Sequence, residues 1–433
     1  WGDGNTGVAG VIGPENSLVG DRPVGLVGRA GSVTILTNGN YVVHSMNWTA
    51  PGYGYGAVTW GDATIGVTGV ITGANSLTAA AGSIGSLVRT LTNGNYVVIS
   101  PSWTNGSATN AGAVTWGNGS TGITGTVSPG NSLVGTLSEQ SVGSGSLVAL
   151  PNGNYVVASP QWGFGMMYDH IGAVTWADGT IGITGAVTFT NSLVGDWAYD
   201  RAGSGGLKVL ANGHYVVRTP DWHSTPGGNL GAVTWGSGST GVTGTIGAAN
   251  SLVGSTYGDY VGLEGVTALA NGNYVVCSER WSNGSMLGVG AATWANGATG
   301  LVGPVSAANS LIGKEQGDWV CSGGVSPLTN GNYVVASTYW GPSSGTMQGA
   351  VTWRDGSESS PGVVDTDNSL VGSTINDQVG IGWVWPLANG HFVVSSPHWH
   401  DGNGANVGAA TWGDGQHGIV GVVDATNSLI GGP

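Results

Sequence analysis

Three stretches of one repeat decide the fold: Asn152-Gly153-Asn154-Tyr155-Val156-Val157, Gly172-Ala173-Val174-Thr175-Trp176 and Asn191-Ser192-Leu193. An Asn-Gly pair between runs of β-branched residues is a strong hairpin signal, since both turn residues must accept positive φ. We therefore expect strand a at residues 145–150 and strand b from residue 155 to about 162. Strand c is predicted at residues 172–176 and, after a second turn at Asp178-Gly179, strand d at residues 182–187.

These stretches recur along the whole chain. The triplet Asn-Ser-Leu occurs eight times at spacings of 56 to 60 residues, and the other stretches lie between successive copies. Seven complete repeats therefore follow one partial copy. The predicted boundaries are residues 1–15 for the partial repeat, then 16–74, 75–130, 131–190, 191–249, 250–308, 309–367 and 368–426 for repeats 1 to 7, and 427–433 for a tail.

The repeat pattern predicts an all-β fold, a seven-bladed β-propeller of four-stranded antiparallel blades. The alternative is a β-solenoid, whose parallel rungs need no hairpins. Two tight-turn signals in almost every repeat favour the propeller, and no stretch shows a helical period. Because the partial copy adds an eighth strand d to seven a-b-c sets, one terminal strand is surplus. A surplus strand predicts either that the array continues in a longer parent chain or that copies self-associate head to tail, by insertion into a neighbouring copy.

Composition and charge narrow the field of partners. The chain of 433 residues has 84 Gly and only 9 Lys and Arg against 23 Asp and Glu, a net charge of −14. Nucleic-acid binding needs a basic surface, so we expect none. No apolar run reaches the roughly 18 residues of a membrane span, so we expect no membrane insertion. Low charge and abundant Gly, Thr, Ser and Asn favour a secreted or cell-surface protein. The sequence starts at Trp1 without Met or a signal peptide, which predicts a mature or excised piece of a protein.

The two cysteines, Cys277 and Cys321, fall at different places in the repeat. This irregular placement excludes a cysteine zinc site and a regular disulfide framework. One bridge between neighbouring repeats is an alternative, but we expect two buried free thiols.

Sequence variation is concentrated in two segments of each repeat. The loops between strands b and c differ widely, as in residues 163–171 and 223–230, and so do the connectors that lead into strand a, as in residues 196–200 and 255–260. Antiparallel topology brings both segments to the same end of a sheet, which predicts a variable binding face on a constant scaffold. Unconstrained drift of surface loops is the alternative interpretation.

One tryptophan per repeat ends strand b, below the variable loops. Flat aromatic rings beside amides and hydroxyls are typical of glycan sites, whereas core packing is the other interpretation. The candidate ligand-binding residues are Trp48, Trp103, Trp162, Trp222, Trp281, Trp340 and Trp399, with Tyr168 and Asp221. A second tryptophan ends strand c, and packing between repeats explains that set.

No catalytic motif is present in the sequence. His398 and His400 lie on one side of a strand and could share a metal ion, but no third ligand is implied, so solvated loop histidines are expected. The Asp-x-Gly turns are typical of turn chemistry rather than calcium sites. We therefore predict a protein without enzymatic activity, metal or cofactor.

The repeat as a whole, Asn-Gly-Asn-Tyr-Val-Val-x-Ser-Pro-x-Trp with Gly-Ala-Val-Thr-Trp and Asn-Ser-Leu-Val-Gly, resembles a tandem repeat of unknown function. That repeat occurs in large secreted bacterial proteins of the filamentous-haemagglutinin and adhesin type. The resemblance implies an extracellular, non-enzymatic setting and offers no site residues to transfer. We expect a function in adhesion or recognition, with glycans or surface polymers bound at the variable face. The alternative is a structural subunit of an extracellular filament, assembled head to tail by strand exchange.

Overall fold

The computed structural model describes residues 7, 9–20, 27–28, 32–49, 55–165, 169–224, 228–343, 345–401 and 403–432. These residues form strands, turns and irregular segments, and they contain no helix. The chain divides into two compact units, Trp1–Leu207 with Gly238–Thr245 and Lys208–Ser237 with Ile246–Pro433. Both units are built from the same kind of β-sheet.

The strands are short and numerous. In chain order they are β1 (Leu18–Val19), β2 (Val33–Ile35), β3 (Tyr41–Thr49), β4 (Tyr55–Gly61), β5 (Gly69–Val70), β6 (Leu77–Thr78), β7 (Leu87–Thr90), β8 (Tyr96–Ser100), β9 (Ala113–Gly117), β10 (Gly125–Thr126), β11 (Ser132–Val134), β12 (Leu147–Ala149), β13 (Tyr155–Ser159), β14 (Ala173–Ala177), β15 (Gly185–Ala186), β16 (Ser192–Val194), β17 (Gly206–Val209), β18 (Tyr215–Thr219), β19 (Ala232–Gly236), β20 (Gly244–Thr245), β21 (Ser251–Val253), β22 (Gly265–Ala268), β23 (Tyr274–Ser278), β24 (Ala291–Ala295), β25 (Gly303–Pro304), β26 (Ser310–Ile312), β27 (Gly324–Pro327), β28 (Tyr333–Ser337), β29 (Ala350–Arg354), β30 (Gly362–Val363), β31 (Leu370–Val371), β32 (Val384–Pro386), β33 (Phe392–Ser396), β34 (Ala409–Gly413), β35 (Gly421–Val422) and β36 (Ser428–Ile430).

The sheet β12-β13-β14-β16-β20 shows the common design. Strands β12, β13 and β14 are the predicted strands a, b and c, and they pair antiparallel. Strand β16 pairs antiparallel with β14, and β20 pairs parallel with β16. The other five-stranded sheets lying wholly inside one unit are β10-β6-β4-β3-β2 and β15-β11-β9-β8-β7 in the first, and β22-β23-β24-β26-β30 and β27-β28-β29-β31-β35 in the second.

The neighbour of strand c is the Asn-Ser-Leu segment, which sequence analysis treated only as a marker of the repeat. A buried hydrogen bond of 2.7 Å joins Thr175 Oγ1 of β14 to Ser192 Oγ of β16. Asn191 closes the turn before β16, because its Nδ2 donates to the carbonyl oxygen of Ala186 and its Oδ1 accepts from the backbone N–H of Thr188. The same Thr–Ser pair, at 2.7 Å, recurs in both units. These contacts explain why Thr of strand c and Asn-Ser are repeated together.

Strand d does not pair with strand c of its own repeat, so the prediction of four-stranded antiparallel blades is wrong. Its extended part is β15, which pairs parallel with β11 in the preceding sheet. Gly182 and Gly185 have φ of 74° and 91°, and this left-handed backbone turns the chain away from β14. A Cβ on Gly182 would clash with Trp116 of the preceding repeat. Each complete sheet therefore holds about five strands, three from one repeat and two from the next.

The hairpin between strands a and b is confirmed, with a different turn from the one expected. Only Gly153 has positive φ, at 93°. Asn152 instead keeps an ordinary backbone, and its Oδ1 accepts a hydrogen bond of 3.1 Å from the N–H of Asn154. Strand b is buried on both faces, since all five residues of β13 are buried. Among the described residues no closed barrel or propeller is found, so the seven-bladed arrangement stays a prediction.

Cys277 and Cys321 form a disulfide, so the expectation of two free thiols is wrong. Cys277 lies in β23 and Cys321 in the connector of the next repeat, with their Cα atoms 5.8 Å apart. Both side chains are buried. The bridge therefore joins neighbouring repeats within the second unit.

Candidate functional site

The strand-c tryptophans bind the next repeat at the end of the sheet that carries the constant turns. In the first unit, the carbonyl oxygen of Gly179 accepts hydrogen bonds from Trp116 Nε1 at 2.9 Å, Asn93 Nδ2 at 2.9 Å and Asn95 Nδ2 at 2.8 Å. We call this arrangement the carbonyl clamp. It has the same three donors at Gly119 and Gly238 in the first unit and at Gly356 and Gly415 in the second. The repeated Asn-Gly-Asn and Trp thus serve cohesion between repeats.

The strand-b tryptophans, which were the candidate glycan platforms, are buried. Each is only 3–5% exposed, and each lies at or just after the end of strand b. Buried rings offer no open face to a sugar, so the structure supports the packing interpretation for Trp48, Trp103, Trp162, Trp222, Trp281, Trp340 and Trp399. In four repeats a proline directly follows strand b. The strand does not need this proline in order to end, because β23 and β28 end at the same place although Glu279 and Thr338 follow them.

The two remaining candidates have different outcomes. Tyr168 lies outside the described residues. Asp221 is half-buried in the turn beside Trp222, and its backbone carbonyl lies 3.3 Å from His223 Nδ1. Of the candidates that the structure describes, the seven tryptophans therefore offer no open face to a ligand.

The variable loops and connectors do meet, as the topology predicted. In the first unit the N–H groups of Tyr199 and Arg201 in a connector donate to the carbonyl oxygens of Asp169 and His170 in a b–c loop, at 2.6 and 3.0 Å. In the second unit the Trp319 N–H donates to the Gly288 carbonyl oxygen at 3.0 Å. We call the paired loops and connectors of each unit its variable face.

A buried polar side chain organises each of five connectors. The five side chains are Gln140 and Asp200 in the first unit and Asp259, Asp318 and Asp377 in the second. None of them is more than 4% exposed. Asp318 shows the geometry, because its Oδ2 accepts from the N–H groups of Lys314 and Glu315 and its Oδ1 accepts from Gly341 in the adjoining loop. Burial raises the pKa of Asp259 and of Asp318. Gln140, Asp259, Asp318 and Asp377 bind backbone on both segments and are therefore scaffold.

The residues on either side of this buried group have left-handed backbones. The preceding position is Glu139, Tyr199, Gly258, Gly317 or Asn376, with φ from 65° to 86°. The following position is Ser141, Arg201, Tyr260, Trp319 or Gln378, with φ from 45° to 50°. Left-handed φ is uncommon for residues other than Gly, and such outliers cluster at functional sites. At the following position, one backbone conformation thus presents five side chains of different chemistry. None of these five side chains is buried.

A cavity of about 490 Å³, lined by both polar and apolar groups, lies on the variable face of the first unit. Its lining includes Glu139, Gln161, Asp169 and His170. Two exposed aromatic residues lie next to lining residues: Phe164, between Gly163 and Gly165, packs edge-on against Trp162 at 4.8 Å, and the ring of Tyr199 lies 6.0 Å from that of His170. Polar groups beside exposed aromatic rings suit a sugar-sized ligand.

His398 and His400 contact different side chains. Nδ1 of His400 lies 2.9 Å from Asp377 Oδ1, whereas Nδ1 of His398 lies 2.8 Å from Gln378 Oε1. Burial acts to raise the pKa of Asp377, but hydrogen bonds from Thr374 and His400 outweigh it and the pKa is lowered. The described part of the chain contains no cluster of three metal-ligating side chains.

A carboxyl group with a shifted pKa lies on the second unit. Burial raises the pKa of Glu264 from 4.5 to about 7, with Glu279 adding to the rise and Arg280, whose Nε lies 3.7 Å away, opposing it. The folded chain therefore holds a proton that the unfolded chain releases between these values, so stability falls as pH rises from about 4.5 to about 7.

We expect Glu264→Gln to remove this part of the pH dependence. Denaturant unfolding at pH 5 and pH 8 should show the variant gaining stability over the natural chain at pH 8 and little at pH 5. Glu358→Gln, at an exposed carboxyl, is the matched control. An equal effect of Glu264→Gln at both pH values would contradict the assignment.

Repeated sheets without helices define the chain as an all-β tandem-repeat protein. The profile of a family described as a repeat of unknown function, DUF5650, matches residues 1–29, 35–84, 90–144, 149–204, 209–263, 268–322, 327–381 and 386–432. The chain belongs to this family and carries eight copies of its repeat. No helix in the described residues is long and apolar enough to cross a membrane.

Similarity to other proteins is low. No curated protein sequence matches the chain. Among solved structures, a eukaryotic initiation factor is 10% identical with a TM-score of 0.37, over 87% of this chain and 71% of that one. The tricorn protease is 11% identical with a TM-score of 0.22, over 91% of this chain and 35% of that one.

Proposed function

We propose that the chain is an extracellular or cell-surface repeat protein that recognises glycans or surface polymers through its variable face. The observation that carries this proposal is the connector geometry. Five equivalent positions share one uncommon backbone conformation and present Ser141, Arg201, Tyr260, Trp319 and Gln378. A constant scaffold with varied side chains at fixed positions is the arrangement that recognition surfaces use.

The chemistry of these positions fits neutral polysaccharides. Tyr199, Tyr260 and Trp319 supply rings that can stack on the apolar faces of sugars, and neighbouring amides and carboxylates supply hydrogen bonds. The net charge of −14 disfavours polyanionic ligands. This function does not depend on a closed ring of seven blades.

The disulfide supports an extracellular setting for this function. Disulfides persist in oxidising compartments and are rare in the cytosol. The adhesin-type proteins that the repeat resembles have the same setting. We therefore propose secretion or surface display, and a role without catalysis.

The test is binding to a panel of immobilised glycans and cell-surface polysaccharides. The variant Tyr199→Ser/Tyr260→Ser/Trp319→Ser should bind about tenfold or more weakly. The control Ile65→Ser/Ile181→Ser changes exposed side chains in the turns that follow strand c, at the opposite end of the sheets, and should bind as the natural chain does. Equal binding by both variants, or no binding by the natural chain, would contradict the proposal.

A second candidate function is that of a structural subunit that joins end to end. The observation that favours it is the exposed edge of the last sheet, β32-β33-β34-β36, which has four strands where complete sheets have five. Unpaired sheet edges are templates for strand addition.

A further inference from the structure

The last sheet lacks the parallel strand that completes the others. In the complete sheets this fifth strand covers the Asn-Ser-Leu strand. The leucine of that strand is 0–2% exposed in each of the six complete sheets. The equivalent residue of β36, Leu429, is 82% exposed. The edge of β36 is therefore open, and an apolar side chain marks it.

The donors of the carbonyl clamp in the last repeat also have no glycine turn to bind among the described residues. Trp353 and its equivalents in earlier repeats are half-buried, and each donates its Nε1 proton to a glycine carbonyl oxygen of the next repeat. Trp412 occupies the same position in strand c (β34) and is 52% exposed. The missing fifth strand and the missing turn belong to the same segment of a following repeat.

The N-terminal partial repeat contains that segment. Gly7 and Gly10 have φ of 67° and 121°, in the same left-handed range as Gly418 and Gly421 at 78° and 101°. The following turn is already formed, since Asn16 Nδ2 donates to the Val11 carbonyl oxygen as Asn427 Nδ2 does to that of Val422. The sequence Trp1-Gly-Asp-Gly4 also repeats Trp412-Gly-Asp-Gly415.

Within the described part of the chain, no strand pairs with residues 9–12. Ile12 is 78% exposed, whereas its seven equivalents in the later repeats are 1–5% exposed. Six of those equivalents donate their backbone N–H to the preceding sheet, as Val423 does to the Val371 carbonyl oxygen at 3.0 Å. One donor segment and one acceptor edge are thus exposed on the same chain.

We propose that the edge of β36 binds residues 10–12 of a second copy of the chain, and that Trp412 packs on Gly7 of that copy as Trp353 packs on Gly418. Gly10 and Val11 pair parallel with Leu429 and Ile430, in the register of Gly421 and Val422 on Leu370 and Val371. Ile12 enters the core of the neighbour. The contact is heterologous, so it propagates head to tail.

The inference rests on the second candidate function and gives it a site. Association is measured by sedimentation velocity on the full chain from about 1 µM to about 1 mM. The natural chain should form oligomers that lengthen with concentration. Ile12→Asp removes the donor and Leu429→Lys blocks the acceptor, and each variant alone should stay monomeric or associate at least about tenfold more weakly. Both side chains are exposed, so neither change disturbs the monomer core.

Mixing the two variants gives the decisive result. Ile12→Asp keeps a working acceptor edge and Leu429→Lys keeps a working donor, so a 1:1 mixture should form a dimer and stop there. Ile181→Asp, at an exposed apolar residue outside both surfaces, should oligomerise as the natural chain does. A monomeric natural chain would overturn both the site and the second candidate function. Oligomers that persist in both variants, or a mixture that gives no dimer, would overturn the site alone.

Discussion

Replacing Trp281 by alanine should lower the free energy of unfolding by about 3–5 kcal/mol, the usual cost of deleting a buried tryptophan. Trp281 is 3% exposed and belongs to a core cluster with Val289, Val305 and Ile312. Denaturant unfolding with CD detection measures the loss. A glycan platform on the surface would lose binding instead and leave stability almost unchanged.

Two controls separate the ring of Trp281 from its N–H group. The indole Nε1 of Trp281 has no hydrogen-bond partner among the described residues. Trp281→Phe keeps most of the ring and gives up only an unsatisfied donor, so it should lose much less stability than Trp281→Ala. Trp385→Ala, at a tryptophan 58% exposed, should change stability by less than about 1 kcal/mol. Similar losses for Trp281→Ala and Trp385→Ala would contradict the packing role.

Loss of the disulfide should cost the second unit about 2–4 kcal/mol. The bridge spans 44 residues, and closing a loop of that length removes entropy from the unfolded chain. Cys277→Ser/Cys321→Ser should therefore unfold at lower denaturant concentration than the oxidised natural chain. Reducing agent should lower the midpoint of the natural chain and leave that of the variant unchanged.

A second pair of substitutions makes this test sharper. Cys321 has φ of 76° and stands where the neighbouring connectors have glycine, as at Gly262 and Gly380. Cys277→Ala/Cys321→Gly restores the pattern of the other repeats and relieves the left-handed backbone. It should be more stable than Cys277→Ser/Cys321→Ser, although it also lacks the bridge. Equal stability of all three proteins would contradict a stabilising role for the disulfide.

Sequence alone predicted the parts of the fold that local signals carry. Strands a, b and c follow from β-branched runs around Asn-Gly turns, and the pairing of loops with connectors follows from their antiparallel order. The position of strand d was missed because a two-residue strand such as Gly185–Ala186 has no periodicity, and pairing with another repeat leaves no local signal. The strand at Ser192–Val194 was missed because its signal is a hydrogen bond to Thr175 across the sheet.

The sequence predicted the face on which the candidate site lies, but it did not predict the residues that form the site. In the sequence, a tryptophan at the end of strand b is equally compatible with a glycan platform and with core packing. Only the burial of the side chain in the structure distinguishes the two. The left-handed connector positions had a signal that was overlooked. Gly258 and Gly317 align with Glu139, Tyr199 and Asn376, and an aspartate follows in four connectors whose other residues vary.

Sharing strands between repeats limits how such a chain can change length. Every complete sheet takes strands a, b and c from one repeat and its last two strands from the next, and the carbonyl clamp crosses the same junction. A gene rearrangement that inserts or deletes a whole repeat keeps every junction intact, because each junction needs only a neighbour of the same kind. A cut inside a repeat would leave one sheet short of strands and another with strands that have no sheet. Length should therefore vary among related chains in steps of one repeat.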